Sequence, residues 1–159
     1  SIAYLVERCT APIFIDPVST VKAEKLRGLL RRVHTLKPNR IEAELLSGVK
    51  ITDDESLCRA AQALIEQGVE RVFLSLGEGG VLAVQSDEMQ RVPICKAEMR
   101  NATGAGDAMM ASLVWSFLSG RTLAQSAAAG TAAAAIAVES EETINPAMSA
   151  EAVEKRLAH

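Results

Sequence analysis

The stretch Asn101-Ala-Thr-Gly-Ala-Gly-Asp107, which continues into Ala108-Met-Met-Ala-Ser-Leu-Val-Trp115, is the most informative part of this sequence. Gly104, Ala105 and Gly106 carry almost no side chain, and the residues after them predict a helix. The first N–H groups of a helix have no partner within the helix, and the helix dipole is positive there. A bare helix start of this kind can bind an anion.

Asp107 places a carboxylate beside the predicted anion site, where it would repel a phosphate that is only bound. A carboxylate is useful there if it takes a proton from a hydroxyl while the N–H groups stabilise a phosphoryl group in transfer. The alternative is a small-residue turn that opens a tightly packed helix, with Asp107 as a partner of the helix dipole. Short glycine motifs are common, so the decision depends on the rest of the chain.

Composition excludes several classes of function. The 159 residues suffice for one domain with a core, and the net charge of −3 gives no general attraction to nucleic acids or anionic membranes. Only 3% of the residues are aromatic, which disfavours base stacking, and no segment is typical of a transmembrane helix. Cys9, Cys58 and Cys95 are scattered, which indicates free thiols in a reducing cytoplasm rather than disulfides or a zinc site.

The apolar patterns predict an α/β fold, because strands alternate with helices along most of the chain. Such alternation is typical of a parallel sheet covered by helices on both faces. The segment Thr52-Asp-Asp-Glu55 predicts a capping box, and Gly77-Glu-Gly-Gly80 predicts a tight turn into a hairpin strand. The predicted helices are 2–9, 20–33, 39–47, 53–67, 104–118, 122–138 and 149–158, and the predicted strands are 12–16, 34–38, 70–76, 81–84 and 90–95.

Polar residues follow the predicted strands. Asp16 ends the first strand, Asn39 and Glu42 follow the second, and Ser75 and Gly77 end the third. Ligands of open α/β sheets bind outside the carboxyl ends of the strands. These residues are therefore candidates for a binding site.

Four motifs in this order resemble those of the ribokinase, or PfkB, family of carbohydrate and nucleoside kinases. Asn101–Ser112 resembles the family's D-T-x-G-A-G-D segment, and Lys37-Pro-Asn-Arg-Ile-Glu-Ala-Glu44 resembles P-N-x-x-E-A-E. Ser75-Leu-Gly-Glu-Gly-Gly-Val81 resembles the T-L-G-x-x-G turn, and Ala132-Ala-Ala-Ala-Ile-Ala-Val138 resembles the family's alanine-rich helix. One such motif would carry little weight, but the four together span nearly the whole chain.

The resemblance implies a ribokinase-like, three-layer α/β/α fold with an antiparallel hairpin, and ATP-dependent phosphorylation of a primary hydroxyl with Mg²⁺. It also implies roles for single residues. Asp107 would be the catalytic base, and Gly104, Ala105 and Gly106 would form the anion hole. Asn39 and Glu42 would support the magnesium ion. Contacts on the nucleotide side would come from Ser75, Gly77, Gly80, Asn101 and Thr131.

Several of these residues could instead have a purely structural role. Glu42 could be a solvated helix residue like the nearby Glu44, and Asn39 could be a helix N-cap. Ser75 and Gly77 could simply end a strand, and Thr131 could serve packing in its helix.

The chain departs from the family pattern at two positions, where Asn101 replaces an aspartate and Ala102 replaces a threonine. In many family members that aspartate helps to hold a monovalent cation. A potassium requirement is therefore in doubt for this chain.

The resemblance covers only the C-terminal half of the family's domain, so residues 1–159 are interpreted as its nucleotide-binding and catalytic part. The first helix has no N-cap and the chain does not begin with Met, which suggests a fragment that lacks the N-terminal half and the lid. The isolated chain is expected to be inactive, and the full-length protein is expected to be a homodimer.

Within the family, the sequence is most similar to pseudouridine kinases, so the expected acceptor is this nucleoside. Ribose and fructose phosphate are alternative acceptors in the same fold. A non-catalytic nucleotide-binding domain is the alternative from another functional class, but the intact Gly104–Asp107 segment argues against it.

Overall fold

The structure, a computed structural model, describes all residues 1–159 and has an α/β fold. None of the helices combines the length and the hydrophobicity that a membrane-spanning helix needs. Short 3₁₀ turns occur at Leu30–Arg32 and Gly77–Gly79. The helices are α1 (Ile2–Arg8), α2 (Thr20–Glu24), α3 (Arg40–Ser47), α4 (Asp54–Glu66), α5 (Ala105–Leu118), α6 (Leu123–Val138) and α7 (Ala150–Leu157), and the strands are β1 (Phe14–Ile15), β2 (Thr35–Leu36), β3 (Arg71–Ser75), β4 (Val81–Gln85) and β5 (Glu88–Val92).

The five strands form one sheet in the order β1-β2-β3-β4-β5. Strands β1 and β2 are parallel with Phe14 opposite Thr35, and β2 and β3 are parallel with Thr35 opposite Arg71. The predicted parallel sheet is thus confirmed for its first three strands. Their carboxyl ends lead directly to Asp16, Lys37 and Leu76.

The chain divides into two compact units. The first comprises residues 1–76 and 82–90, and its core joins strand residues to the inner faces of helices α2, α3 and α4. The second comprises residues 77–81 and 91–159. Its core consists mainly of small residues of α6 packed with Val153 of α7 and Trp115 of α5.

The predicted helix 20–33 is wrong over its second half. Helix α2 ends at Glu24, turns follow, and a single 3₁₀ turn occupies Leu30–Arg32. Gly28 adopts a left-handed backbone with φ 81°, which an α-helix cannot include. Leu26 and Leu30 are nevertheless buried. The apolar spacing that predicted one long helix therefore reflects consecutive turns that bury the same residues.

Several further boundaries differ from the prediction. The strands predicted at 12–16 and 34–38 are limited to Phe14–Ile15 and Thr35–Leu36, and the strand predicted at 90–95 begins at Glu88. The capping box of α4 begins at Asp53 and closes with Ser56, not with Thr52 and Glu55. The last strand ends at Val92 rather than reaching residue 95, since Pro93 has no N–H group to continue a ladder. The predicted helices 39–47, 104–118, 122–138 and 149–158 are confirmed within one residue at each end.

Candidate active site

The start of α5 has no side-chain cap, as its glycine-rich sequence predicts. Gly104 is the N-cap residue with φ 88°, and no side chain caps the helix. The amides of Ala105, Gly106 and Asp107 precede the first intrahelical bond, from the Ala108 amide to the Gly104 carbonyl at 2.9 Å. These three N–H groups are therefore available to an anion.

Gly104 also lies where no larger residue fits. A Cβ atom built on it would be 2.5 Å from the carbonyl oxygen of Thr143, far inside van der Waals contact. The left-handed backbone at this position independently favours glycine. Both conditions explain why the helix begins with glycine rather than with the usual Ser, Thr or Asp cap.

Asp107 lies in the first turn of α5 and is exposed. Its carboxylate makes no hydrogen bond or ion pair with the rest of the described chain, residues 1–159. The side chain is therefore not used to cap its helix or to stabilise a neighbour. A carboxylate in this state is free to accept a proton from a bound hydroxyl group.

Asn39 and Glu42 form a reciprocal capping box at the start of α3. The Glu42 amide donates to Asn39 Oδ1 at 2.9 Å, and the Asn39 amide donates to Glu42 Oε2 at 2.9 Å. The N-cap alternative for Asn39 is confirmed. The alternative of a solvated Glu42 is wrong, because the residue is only 3% exposed. Glu44 is not simply solvated either, since its Oε1 accepts from the Ile51 amide at 3.0 Å.

Ser75 is fixed beside this capping box. The Ser75 amide donates to the Pro38 carbonyl at 2.9 Å, and the Ser75 hydroxyl lies 3.4 Å from the same oxygen. Asn39 and Ser75 also form a parallel bridge beyond the ends of β2 and β3. The structure thus brings together Asn39, Glu42 and Ser75, all in the first unit.

The turn that precedes β4 requires glycine at two positions. Gly77 and Gly80 have φ 57° and 82°. A Cβ on Gly80 would be 2.1 Å from the Val92 carbonyl oxygen, so this glycine allows the turn to approach the end of β5. Thr131 differs from these candidates, because it is buried in α6 and its hydroxyl donates to the Ala128 carbonyl at 2.9 Å. Its hydroxyl therefore already has a partner within its own helix.

One charged pair at the strand ends was missed by the sequence reasoning. Lys37 Nζ lies 2.7 Å from Asp16 Oδ2, and Lys37 is only 6% exposed. Burial of a lysine is costly unless a carboxylate compensates it, so the pair holds the end of β2 to the residue that follows β1. The signal in the sequence was a lysine directly before Pro38-Asn39, at a predicted strand end where charge is unusual.

No group of three or more His, Cys, Asp or Glu side chains is arranged to enclose a metal ion in residues 1–159. A metal at this site would therefore depend on a single carboxylate together with ligand or water oxygens. Mg²⁺ is typically bound in this way beside phosphates.

The fold and the start of α5 define an α/β protein with a helix whose first N–H groups have no partner within the helix. The family model of the pfkB family carbohydrate kinases matches residues 4–150. Pseudouridine kinase of Escherichia coli K12 is 39% identical over 140 residues, which are 87% of this chain and 44% of that protein.

Solved structures show the same likeness. A Clostridium perfringens protein described as a sugar kinase has a TM-score of 0.93 and 30% identity, covering 99% of this chain and 50% of that one. Arabidopsis thaliana ribokinase, solved with ribose and ATP, has a TM-score of 0.74 and 26% identity, covering 82% of this chain and 43% of that one. The chain belongs to the pfkB family of carbohydrate kinases and spans about half the length of these relatives.

Proposed function

We propose that the protein containing this chain is an ATP-dependent kinase that phosphorylates the primary hydroxyl of a sugar or nucleoside. The observation that carries the proposal is the carboxylate of Asp107, which is exposed and has no partner. It lies in the first turn of a helix whose first amides have no hydrogen-bond partner within the helix. Membership of a family of carbohydrate kinases supports the reaction class. A non-catalytic nucleotide-binding domain would have no use for this carboxylate beside an anion site.

In the proposed reaction, Asp107 accepts the proton of the acceptor hydroxyl as that oxygen bonds to the γ-phosphorus. The bond between this phosphorus and the oxygen bridging to ADP breaks, and ADP leaves with that bridging oxygen. The amides of Ala105, Gly106 and Asp107, which follow Gly104, stabilise the charge on the phosphoryl oxygens. The proposed base and the groups that stabilise the transferred phosphoryl oxygens thus both lie at the start of α5.

Asn39 and Glu42 fit the support of a magnesium ion. Glu42 Oε2 is occupied by the Asn39 amide, whereas Oε1 makes no hydrogen bond within residues 1–159. A buried carboxylate with one remaining oxygen suits an ion that keeps several waters. When bound, Mg²⁺ would neutralise charge on the nucleotide phosphates.

The nucleotide-side contacts remain part of the proposal. Ser75, Gly77, Gly80 and Asn101 lie in turns or at element ends, where backbone groups can approach a ligand closely. Thr131 and Asn101 are the weakest of the proposed contacts, because both side chains are already hydrogen-bonded within the chain.

Pseudouridine is the proposed acceptor. The support is the similarity to the Escherichia coli pseudouridine kinase, which exceeds the identity to the ribokinase solved with ribose and ATP. Ribose remains the second candidate because of that ribokinase structure. Fructose phosphate is a third candidate, supported by the family resemblance and by similarity to a 1-phosphofructokinase. A cytoplasmic homodimer completes the proposal for the full-length protein.

The test uses the full-length protein with Mg²⁺ and ATP against pseudouridine, uridine, ribose, fructose phosphate and adenosine. Asp107→Asn is expected to lower kcat by about 10²- to 10⁴-fold, the usual contribution of a general base, with little change in ATP affinity. Asp87→Asn, an exposed aspartate in the turn between β4 and β5, is the matched control and should retain activity.

The outcomes separate the parts of the proposal. Turnover of pseudouridine alone supports the acceptor, whereas turnover of another compound retains the kinase and discards pseudouridine. Unchanged kcat in Asp107→Asn would remove the base from the mechanism.

A further inference from the structure

The segment before α5 is tied to the segment after α6 through Asn101. The amides of Arg100 and Asn101 donate to the Val138 carbonyl at 2.8 and 3.1 Å. Asn101 Nδ2 donates to the Glu141 carbonyl at 3.0 Å, and the Thr103 amide donates to Asn101 Oδ1 at 2.9 Å. The carboxamide of Asn101 thus uses both of its ends within the second unit.

These two partners require a carboxamide. The Thr103 N–H group can only donate, so it needs the oxygen of the side chain, and the Glu141 carbonyl can only accept, so it needs the nitrogen. An aspartate would satisfy Thr103 but would place its second carboxylate oxygen against the Glu141 carbonyl oxygen. Two acceptors at that distance need a proton or a cation between them.

The family resemblance implies a monovalent cation near this position, and the residues present do not fit one. The Asn101 side chain is neutral, and its nitrogen donates directly to the carbonyl oxygen that an aspartate would leave facing an acceptor. A hydrogen-bond donor repels a cation at short range, and the loss of the carboxylate removes the attracting charge. Both effects disfavour a cation between residues 101 and 141.

We infer that Asn101 replaces a monovalent cation as the tie between these segments, so that the protein needs no K⁺ or Na⁺ for its activity. The inference rests on the proposed kinase function for its kinetic readout. Asn101 acts as a positioning residue, because Thr103 and Gly104 follow it and lead into the first turn of α5. The close approach of Gly104 to Thr143 shows that the same two segments also meet beyond Asn101.

The inference predicts that Asn101→Asp makes the protein dependent on a monovalent cation. This variant keeps the bond from the Thr103 amide but loses the donor to Glu141, and a bound cation can restore the link. Asn101→Ala loses both bonds and has no carboxylate with which to attract a cation. It is therefore the matched control, since any damage it causes should not be rescued by potassium.

The experiment compares the full-length wild type and both variants in potassium chloride and in tetramethylammonium chloride at equal ionic strength. For the wild type, kcat with Mg²⁺ and ATP should differ by less than twofold between the salts. For Asn101→Asp, kcat should fall at least tenfold in tetramethylammonium and recover in potassium. Asn101→Ala should show the same kcat in both salts.

Thermal unfolding in the two salts provides a second readout that needs no acceptor. The Tm of Asn101→Asp should rise on replacing tetramethylammonium with potassium, whereas the wild-type Tm should not change. A potassium-dependent kcat or Tm of the wild type would overturn the inference even if Asn101→Asp does not fold. Indifference of a folded Asn101→Asp to potassium would also overturn it. Failure of all proteins to phosphorylate any acceptor would count against the kinase alone, because the Tm comparison still decides the role of Asn101.

Discussion

At the scale of single residues, Gly104 is constrained twice, by its left-handed backbone and by the Thr143 carbonyl 2.5 Å from a built Cβ. Gly120 shares the first constraint, with φ 67°, but a Cβ there would have nothing within 4 Å. The pair therefore separates backbone strain from steric exclusion. The start of α5 depends on both, whereas the turn after α5 depends only on the first.

We expect Gly104→Ala to destabilise the protein clearly more than Gly120→Ala does. Both substitutions incur the left-handed penalty of about 1–2 kcal/mol, and Gly104→Ala adds a clash with a backbone carbonyl that cannot rotate away. Urea unfolding of the two variants measures the difference. Equal losses of unfolding free energy would mean that residues 143 and 104 separate easily, so that this contact does not position α5.

The sequence predicted only part of the local structure around Asn39, Glu42 and Lys37. Asn39 was a candidate N-cap, and the cap is present. The magnesium-side role of Asn39 and Glu42 was implied by the family resemblance and stays a prediction. The sequence does not reveal that Glu42 is buried while Glu44 is half-buried, because both carboxylates fit the same exposed or capping pattern. Lys37 was missed because it follows β2 whereas its partner Asp16 follows β1, and only the parallel pairing of these strands brings the two residues together.

At the scale of elements, the packing of α5 against α6 depends on small residues. A Cβ on Gly130 of α6 would be 3.1 Å from Met109 Cγ and 3.6 Å from Leu113 Cδ2, both on α5. Ala129, Ala132 and Ala133 continue the small surface of α6. The alanine-rich composition of this helix is therefore explained by close packing.

Gly130→Val is expected to lower the unfolding free energy by about 1–3 kcal/mol, since the added Cβ and its two methyl groups would have to displace Met109 and Leu113. Ala128→Val in the same helix is the control, because Ala128 is half-buried and the change should cost only the helix propensity of valine, up to about 0.7 kcal/mol. Thermal or urea unfolding compares them. A Gly130→Val protein as stable as the control would show that the interface between α5 and α6 can accommodate the larger side chain.

Helices whose first residues include a side-chain cap could be predicted from the sequence. Helices α6 and α7 are capped by Thr122 and Ser149, whose side chains accept from amides three residues further on. Such caps are encoded within four residues and are readable from sequence. The end of α2 was not readable in this way, because glycine at position 28 is tolerated in helices and only the structure shows its left-handed backbone.

At the scale of the whole molecule, the parallel sheet was predictable and its register was not. Alternation of strands and helices implies parallel neighbours. Strands β1 and β2 are only two residues long, and β2 is buried on both faces, so no polar–apolar alternation fixes which residues face each other. The pairing of Phe14 with Thr35 therefore follows from tertiary packing rather than from a pattern in either strand.

The same pairing places His34, just before β2, against Phe14 of β1. The two rings stack with centroids 5.2 Å apart, and the His34 side chain is only 12% exposed. Burial lowers the pKa of His34; Glu70, with Oε2 3.6 Å from His34 Nε2, opposes this effect, and Arg71 adds to it. The folded protein therefore binds a proton at His34 less readily than the unfolded chain does.

The unfolding free energy should consequently fall as the pH drops below the ordinary histidine pKa of about 6.5. Above that pH, His34 is neutral in both states and contributes no pH dependence. Below it, the unfolded chain takes up the proton first, with a slope of at most about 1.4 kcal/mol per pH unit for one proton. Urea unfolding between pH 7.5 and 5 should show this decline in the wild type and a smaller one in His34→Gln. His159→Gln, which removes the exposed C-terminal histidine, should retain the full decline. If His34→Gln and the wild type lose stability in parallel, another group governs the response of the whole molecule to acid.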